Sequence, residues 1–328
     1  MLRICIVGAG AIGGFFGTRL ARSAAATVNA LARGATLSAL RDHGWRLNEN
    51  GTLVTAPVGL ASNDPRELGT QDLVILTVKA PALPALAVTL APLIGPATVI
   101  LSAMNGVPWW FSHGLAALGE APLSCVDPGG VIAAALPVRQ VIGCVVHMSA
   151  STSAPGIAVH RKGQRLIIGD PAGGESARVR AVGETLTQAG FEVTYSSRIR
   201  YETWYKLWGN MTMNPMSALT GADMAQVLAD PLLRSFSAAA MREAAAVGER
   251  IGCAVAESPD DRQEVTRRLG AFKTSMLQDV EAGRPIELDA LVGVVREMAL
   301  RVGVATPMID ALYGLTRLFG HVRGIYTQ

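Results

Sequence analysis

The stretch Ile4-Cys5-Ile6-Val7-Gly8-Ala9-Gly10-Ala11-Ile12-Gly13-Gly14 places GxGxxG directly behind a strand-like run and at the head of a helix-like one, residues 15–22. In such a strand, turn and helix, Gly8 permits the tight bend and Gly10 lets backbone N–H groups approach a pyrophosphate. Gly13 lets the helix pack close to the strand. The anion then sits on the helix N-terminus, where orphan N–H groups and the helix dipole favour it. Glycine-rich turns also arise for purely structural reasons. Its position straight after the first strand is what favours a dinucleotide here.

Short β-branched runs at 3–7, 27–32, 72–78, 98–102, 141–147, 157–160, 166–169 and 193–195 alternate with helix-like stretches. That alternation predicts βαβ units and a mainly parallel sheet. The runs between 141 and 169 are joined by short polar links, so they are expected to add an antiparallel extension. A helix is expected at 176–188. Beyond residue 197 apolar residues recur at three- and four-residue spacing, predicting helices at 199–213, 231–251, 259–281, 286–302 and 307–319. The fold class that follows is an α/β N-terminal Rossmann domain, residues 1–197, followed by an all-α C-terminal domain, residues 198–328.

The end of the second strand, about 20 residues past the fingerprint, is where an NAD enzyme places a carboxylate on the ribose 2′-hydroxyl. This chain has no acidic residue before Asp42, and Arg33 stands at that distance from Gly13. A guanidinium there can pair with a 2′-phosphate and stack on adenine, favouring NADP over NAD. As a plain loop residue it would be solvated. Lys79, at the end of the 72–78 strand, could reach cofactor or substrate, or be a lone surface lysine.

Lys206, Asn210 and Asn214 recur every four residues and drift by only about 40° per step on a helix, so they share one face. An ammonium and two amides in a row can hold a polar ligand. Glu202 with Lys206 could equally be an ordinary i, i+4 ion pair. Glu287 would fall in the first turn of a helix, where the dipole suits a carboxylate and where plain capping is the ordinary role. Asn105-Gly106 follows the 98–102 strand and is also compatible with a simple turn.

With 29 Lys and Arg against 26 Asp and Glu, the net charge is +3 and the arginines are scattered, which argues against nucleic acid as a partner. The uncharged run 80–119 is interrupted by Pro81, Pro84, Pro92, Pro96 and Pro108, so buried structure is expected there and not a membrane span. Met1-Leu2-Arg3 leads straight into a strand, without a signal-peptide pattern, and a cytoplasmic protein is expected. Cys5, Cys125, Cys144 and Cys253 show no CxxC pairing, and the five histidines show no metal-ligand spacing, so no metal is expected. Surplus apolar helix faces suit a homodimer as well as interdomain packing.

Together these features resemble the ketopantoate reductase (2-dehydropantoate 2-reductase) family across nearly the whole chain. The carriers are Gly8 to Gly14, Arg33, Val78-Lys79-Ala80, Met104-Asn105-Gly106, Lys206-Leu207 with Asn210 and Asn214-Pro215, and Ser275-Met276-Leu277-Gln278-Asp279 with Glu287. The resemblance implies NADPH-dependent reduction of a small-molecule 2-keto acid, ketopantoate to pantoate in pantothenate biosynthesis, at a cleft between the domains. It implies cofactor binding by Gly8, Gly10, Ala11, Ile12, Gly13, Arg33, Lys79 and Asn105. Lys206 would be the general acid and Glu287 would hydrogen-bond the reacting oxygen or steady the lysine. Asn105, Asn210, Asn214 and Ser275 would bind substrate.

Residues 109–174 depart from the expected short pattern, with Trp109-Trp110, Cys125-Val126-Asp127-Pro128-Gly129-Gly130 and His147-Met148-Ser149-Ala150. Placed near a substrate entrance, they would suit another branched or aromatic 2-keto acid; Asp127 could equally be a turn residue. A non-catalytic NADP-binding regulatory module is the alternative from a different class.

Overall fold

The computed structural model describes residues 1–24 and 26–326. By their contacts they form two compact units: Met1–Asn105 with Val131–Glu202, and Gly106–Gly130 with the chain from Thr203 onward. This division differs from a single boundary at residue 197. The change of hydrophobic period marks where strands stop, but it is blind to residues 106–130. That segment is anchored among the later helices by buried aromatics, Trp110 packing on Phe111 and Phe111 on Trp204 with ring centroids 6.4 and 6.3 Å apart.

The first unit is built on one sheet. Its strands are β1 (Leu2–Val7), β2 (Ala26–Leu31), β3 (Trp45–Glu49), β4 (Thr52–Ala56), β5 (Ala61–Ser62), β6 (Leu73–Leu76), β7 (Val99–Ser102), β8 (Val141–Ala154), β9 (Ile157–Gly169) and β10 (Glu192–Tyr195). The spatial order is β4-β3-β9-β8-β7-β6-β1-β2-β5, with β10 beside β9. From β5 through β2, β1, β6 and β7 to β8 all pairings are parallel, and β8 pairs β9 antiparallel, as the sequence pattern predicts. Helices α1 (Ala11–Arg22), α2 (Gly34–His43), α3 (Pro65–Leu68), α4 (Leu83–Ala87), α5 (Val131–Ala135) and α6 (Ala177–Gln188) complete the unit. The central strands are buried along their length, Ile4 to Val7 and Val74 to Leu76 being fully covered.

Two features differ from the sequence expectation. The three short strands expected at 141–169 are two long ones, because the polar residues between them stay in the ladder as an exposed ribbon, His147 facing Arg165 and Ser149 facing Lys162. The hairpin β3–β4 was not anticipated. It turns at Asn50 and Gly51, with φ of 52° and 84°, the pair of positive angles that a tight hairpin turn takes.

The second unit is helical: α7 (Ile199–Thr220, from Thr203 onward), α8 (Met224–Ala229), α9 (Pro231–Arg250), α10 (Pro259–Arg267), α11 (Ser275–Glu281), α12 (Val294–Val302) and α13 (Pro307–Val322). α7 runs on through Pro215 beyond its expected end at 213. The single helix expected at 259–281 is broken at 268–274, where Gly270 takes φ of 79°, and Thr274 caps α11 by accepting the Leu277 N–H.

α12 clamps the 116–125 loop. Arg301 donates to the carbonyls of Leu118, Ala121 and Pro122, and Glu297 accepts the N–H groups of Ser124 and Cys125 at 2.8 and 2.9 Å. Burial works against ionisation of Glu297, but these N–H groups, the Cys125 thiol and Arg301 outweigh it and hold the carboxyl below its usual value. Glu297→Gln is expected to lower unfolding free energy by about 1–3 kcal/mol at neutral pH, read from urea melts. The folded-state value is depressed, so the advantage of the acid is present above the unfolded carboxyl's value of about 4.3 and fades as pH falls below it.

Candidate active site

The glycine turn links β1 to α1 and is shaped by close approach. Gly8 has φ of 96°, and a side chain on Gly13 would lie 2.1 Å from the Gly8 carbonyl oxygen and 2.6 Å from Thr77 Oγ1. Thr77 donates its hydroxyl to Gly8 O at 2.7 Å, which braces the turn; the sequence reading did not single it out. Around Gly10, by contrast, a Cβ would meet nothing within 4 Å, and Gly10 is exposed. Gly14 N–H makes its helical bond to Gly10 O at 2.8 Å. The N–H groups of Ala11, Ile12 and Gly13 are therefore those that helix geometry leaves for a ligand. With no acidic residue in its first turn, α1 presents an end suited to an anion.

The remaining expected cofactor residues lie along the same edge of the sheet. β2, β1, β6 and β7 are parallel neighbours, with Leu31 beside Val7, Val7 beside Leu76 and Leu76 beside Ser102. Arg33 follows the carboxyl end of β2, the glycine turn follows β1, Lys79 follows β6, and Asn105 follows β7. This is where an open α/β sheet binds ligands. Arg33 is exposed and stands at the N-cap of α2 without a side-chain capping bond, so its guanidinium is not consumed in holding the helix. Lys79 and Asn105 are half-buried.

In the second unit, α7 buries Trp204, Leu207, Trp208 and Met211 at 2% exposure or less, and Trp208 donates its indole N–H to Met241 O at 2.6 Å. That packing fixes the helix's rotation. It leaves Lys206 and Asn210 half-buried and Asn214 buried on the row predicted from their spacing. Glu202 accepts the Ser196 hydroxyl at 3.3 Å. Ser275 is exposed at the first position of α11. Glu287 is 9% exposed and immediately precedes the next helical segment, whose Leu291 N–H bonds its carbonyl. Ser275, Glu287 and the Lys206 row thus sit on three separate segments of this unit.

The residues that pointed toward a larger or aromatic substrate are placed otherwise. Trp109 and Trp110 are 3% and 1% exposed and belong to the second unit's packing, while Asp127 is fully buried. Burial of flat aromatic surface explains them without a substrate. His147 is exposed on β8. None of the four cysteines is in a disulfide; burial pushes Cys5 up to about 12, and burial with Glu297 alongside does the same to Cys125, so neither is a ready nucleophile. Among the described residues no group of acidic, His or Cys side chains could hold a metal, and no helix is long and apolar enough to cross a membrane.

The family model "Ketopantoate reductase PanE/ApbA" matches residues 4–173, and its C-terminal companion matches residues 198–319. A 2-dehydropantoate 2-reductase of Mesorhizobium japonicum is 42% identical over 327 residues, covering 99% of this chain and all of the relative. A crystal structure from Ralstonia solanacearum MolK2, assigned to the ketopantoate reductases, is 52% identical with a TM-score of 0.95, over 99% of this chain and 100% of that one. The 2-dehydropantoate 2-reductase of Methylococcus capsulatus is 27% identical with a TM-score of 0.84, over 98% of each chain. The first of these matches spans residues 109–173 as well. On a likeness that spans both units, the chain belongs to the ketopantoate reductase family and is an oxidoreductase of the type that reduces 2-keto acids.

Proposed function

We propose that the protein reduces 2-dehydropantoate to pantoate with NADPH. The observation that carries the reading is the row of Lys206, Asn210 and Asn214, an ammonium and two amides presented by a helix whose other face is locked in the core. The residues of the first unit fit a dinucleotide: open space at Gly10, the α1 N-terminus beside it, and a cation where an NAD site would carry an acid. Gly8, Gly10, Ala11, Ile12 and Gly13 would hold the pyrophosphate, Arg33 the 2′-phosphate, and Lys79 and Asn105 the nicotinamide side.

When bound, NADPH supplies a hydride to C2 of the keto acid. Lys206 polarises the keto oxygen and delivers the proton it acquires, then regains one from solvent. Glu287 accepts a hydrogen bond from the lysine or from the newly formed hydroxyl. Asn210, Asn214 and Ser275 orient the hydroxyl and carboxylate ends of the substrate, which turns a collision into an aligned encounter.

The test is loss of dihydronicotinamide absorbance on mixing the protein with NADPH and a panel of 2-keto acids. Turnover fastest with 2-dehydropantoate is the expected result. Rapid turnover of an aromatic 2-keto acid with none of 2-dehydropantoate would reassign the substrate, and silence across the panel would count against the enzyme reading. Gly13→Ala should weaken NADPH binding on the order of tenfold or more, since its methyl cannot fit beside the Gly8 carbonyl without opening the turn; titration of nucleotide fluorescence measures it.

A further inference from the structure

The helical segment after Glu287 opens on a π turn, Asp289–Gly293. Val294 N–H, which an α-helix would give to the Ala290 carbonyl, bonds the Asp289 carbonyl instead. The Ala290 carbonyl is thereby freed from that bond, and Val107 N–H takes it at 2.9 Å. Gly106 seats against the same residue. It has φ of 80°, and a Cβ on it would lie 2.5 Å from Ala290 O and 2.8 Å from Ala290 Cβ, so only glycine fits. The peptide that follows Asn105 is therefore docked onto the turn that follows Glu287.

The turn is pinned at several points. Ile286 N–H bonds the Ile325 carbonyl at 3.0 Å, which fixes the approach to Glu287. The Asp289 carboxylate accepts the Tyr313 hydroxyl at 2.8 Å and the Tyr326 hydroxyl at 2.9 Å, and the two hydroxyls lie 3.1 Å apart. Tyr313 and Tyr326 are 6% and 4% exposed, so these bonds are shielded from water. Burial raises both phenols above their ordinary value, with Asp289 adding to it, which keeps them donors through the neutral range. Gly293 leaves the carboxylate its room, since a Cβ there would come within 2.9 Å of an Asp289 oxygen. Relaxation to an α turn would rotate Glu287 by about 100° around the helix axis and withdraw the Ala290 carbonyl from Val107.

We infer that Asp289, held by Tyr313 and Tyr326, is a positioning residue for the reduction: it locks the π turn that aims Glu287. The inference rests on the role given to Glu287 above.

Steady-state kinetics with NADPH and 2-dehydropantoate on Asp289→Asn, Glu287→Gln and the double variant test it, alongside melting curves and NADPH titration. Asp289→Asn should lower kcat about tenfold or more with the NADPH Kd within about twofold of wild type. In the Glu287→Gln background it should cost less than about twofold further, because both act through one carboxylate. A kcat within about twofold of wild type for Asp289→Asn, or a loss that multiplies undiminished in the double variant, overturns the inference. Should Asp289→Asn fail to fold, Tyr326→Phe removes one donor and keeps the ring; a smaller kcat loss of the same non-additive kind supports the inference, and an unchanged kcat overturns it. A wild type without turnover would overturn the functional reading itself and this inference with it, whereas a Glu287→Gln variant with the wild-type kcat would overturn the inference alone.

Discussion

Lys206→Ala should lower kcat by about 10²–10⁴-fold, the range lost when a general acid is removed, and leave the NADPH Kd within about twofold. The asymmetry follows from placement. Lys206 is on α7 in the second unit, whereas the glycine turn, Arg33 and Lys79 are all on the edge of the first unit's sheet. The substitution should not cost the fold, because Lys206 is only half-buried and alanine is a good helix former. Lys206→Arg sharpens the test. Its guanidinium keeps the charge but is a far weaker acid than an ammonium and gives up a proton poorly. Substrate binding should recover while kcat stays low. A kcat for Lys206→Ala within about threefold of wild type would remove the lysine from the mechanism.

Arg33→Asp should raise the NADPH Kd by about a hundredfold and leave NADH binding nearly unchanged or improved. A hydrogen bond to a charged group contributes about 1.5–3 kcal/mol, each 1.4 kcal/mol is a factor of ten, and the new carboxylate would repel a 2′-phosphate. The same carboxylate can accept the free 2′-hydroxyl of NADH. Because Arg33 is exposed and makes no capping bond to α2, its replacement should hardly change stability. Paired titrations of the two nucleotides decide the matter. Equal weakening of both would show that Arg33 serves the loop and not the phosphate.

The parts of the fold that could be read from the sequence are those where a local pattern and the tertiary structure ask for the same thing. The GxGxxG turn is one case: its glycines are needed by backbone geometry that the strand and helix on either side already announce. The row of Lys206, Asn210 and Asn214 is another, since α7 is a regular helix and spacing alone fixes its faces. The β3–β4 hairpin also has a local signature, for Asn50-Gly51 between alternating residues is a strong turn signal. The grouping of residues 106–130 with the helices could not be read, because it depends on Trp110 and Phe111 finding Trp204 far along the chain. The same holds for the π turn after Glu287. No residue type specifies a five-residue hydrogen bond, and the contacts that hold it come from Val107, Tyr313 and Tyr326.

The interleaving of residues 106–130 with the later chain has a practical consequence for dissection. A polypeptide beginning at residue 198 would lack Trp110 and Phe111, strip the cover from Trp204, and lose the loop that Glu297 and Arg301 grip. A truncated N-terminal piece would in turn carry those aromatics with nothing to bury them. Chimeras between relatives would need to exchange two non-adjacent stretches at once, since the backbone crosses from one unit to the other three times before it ends.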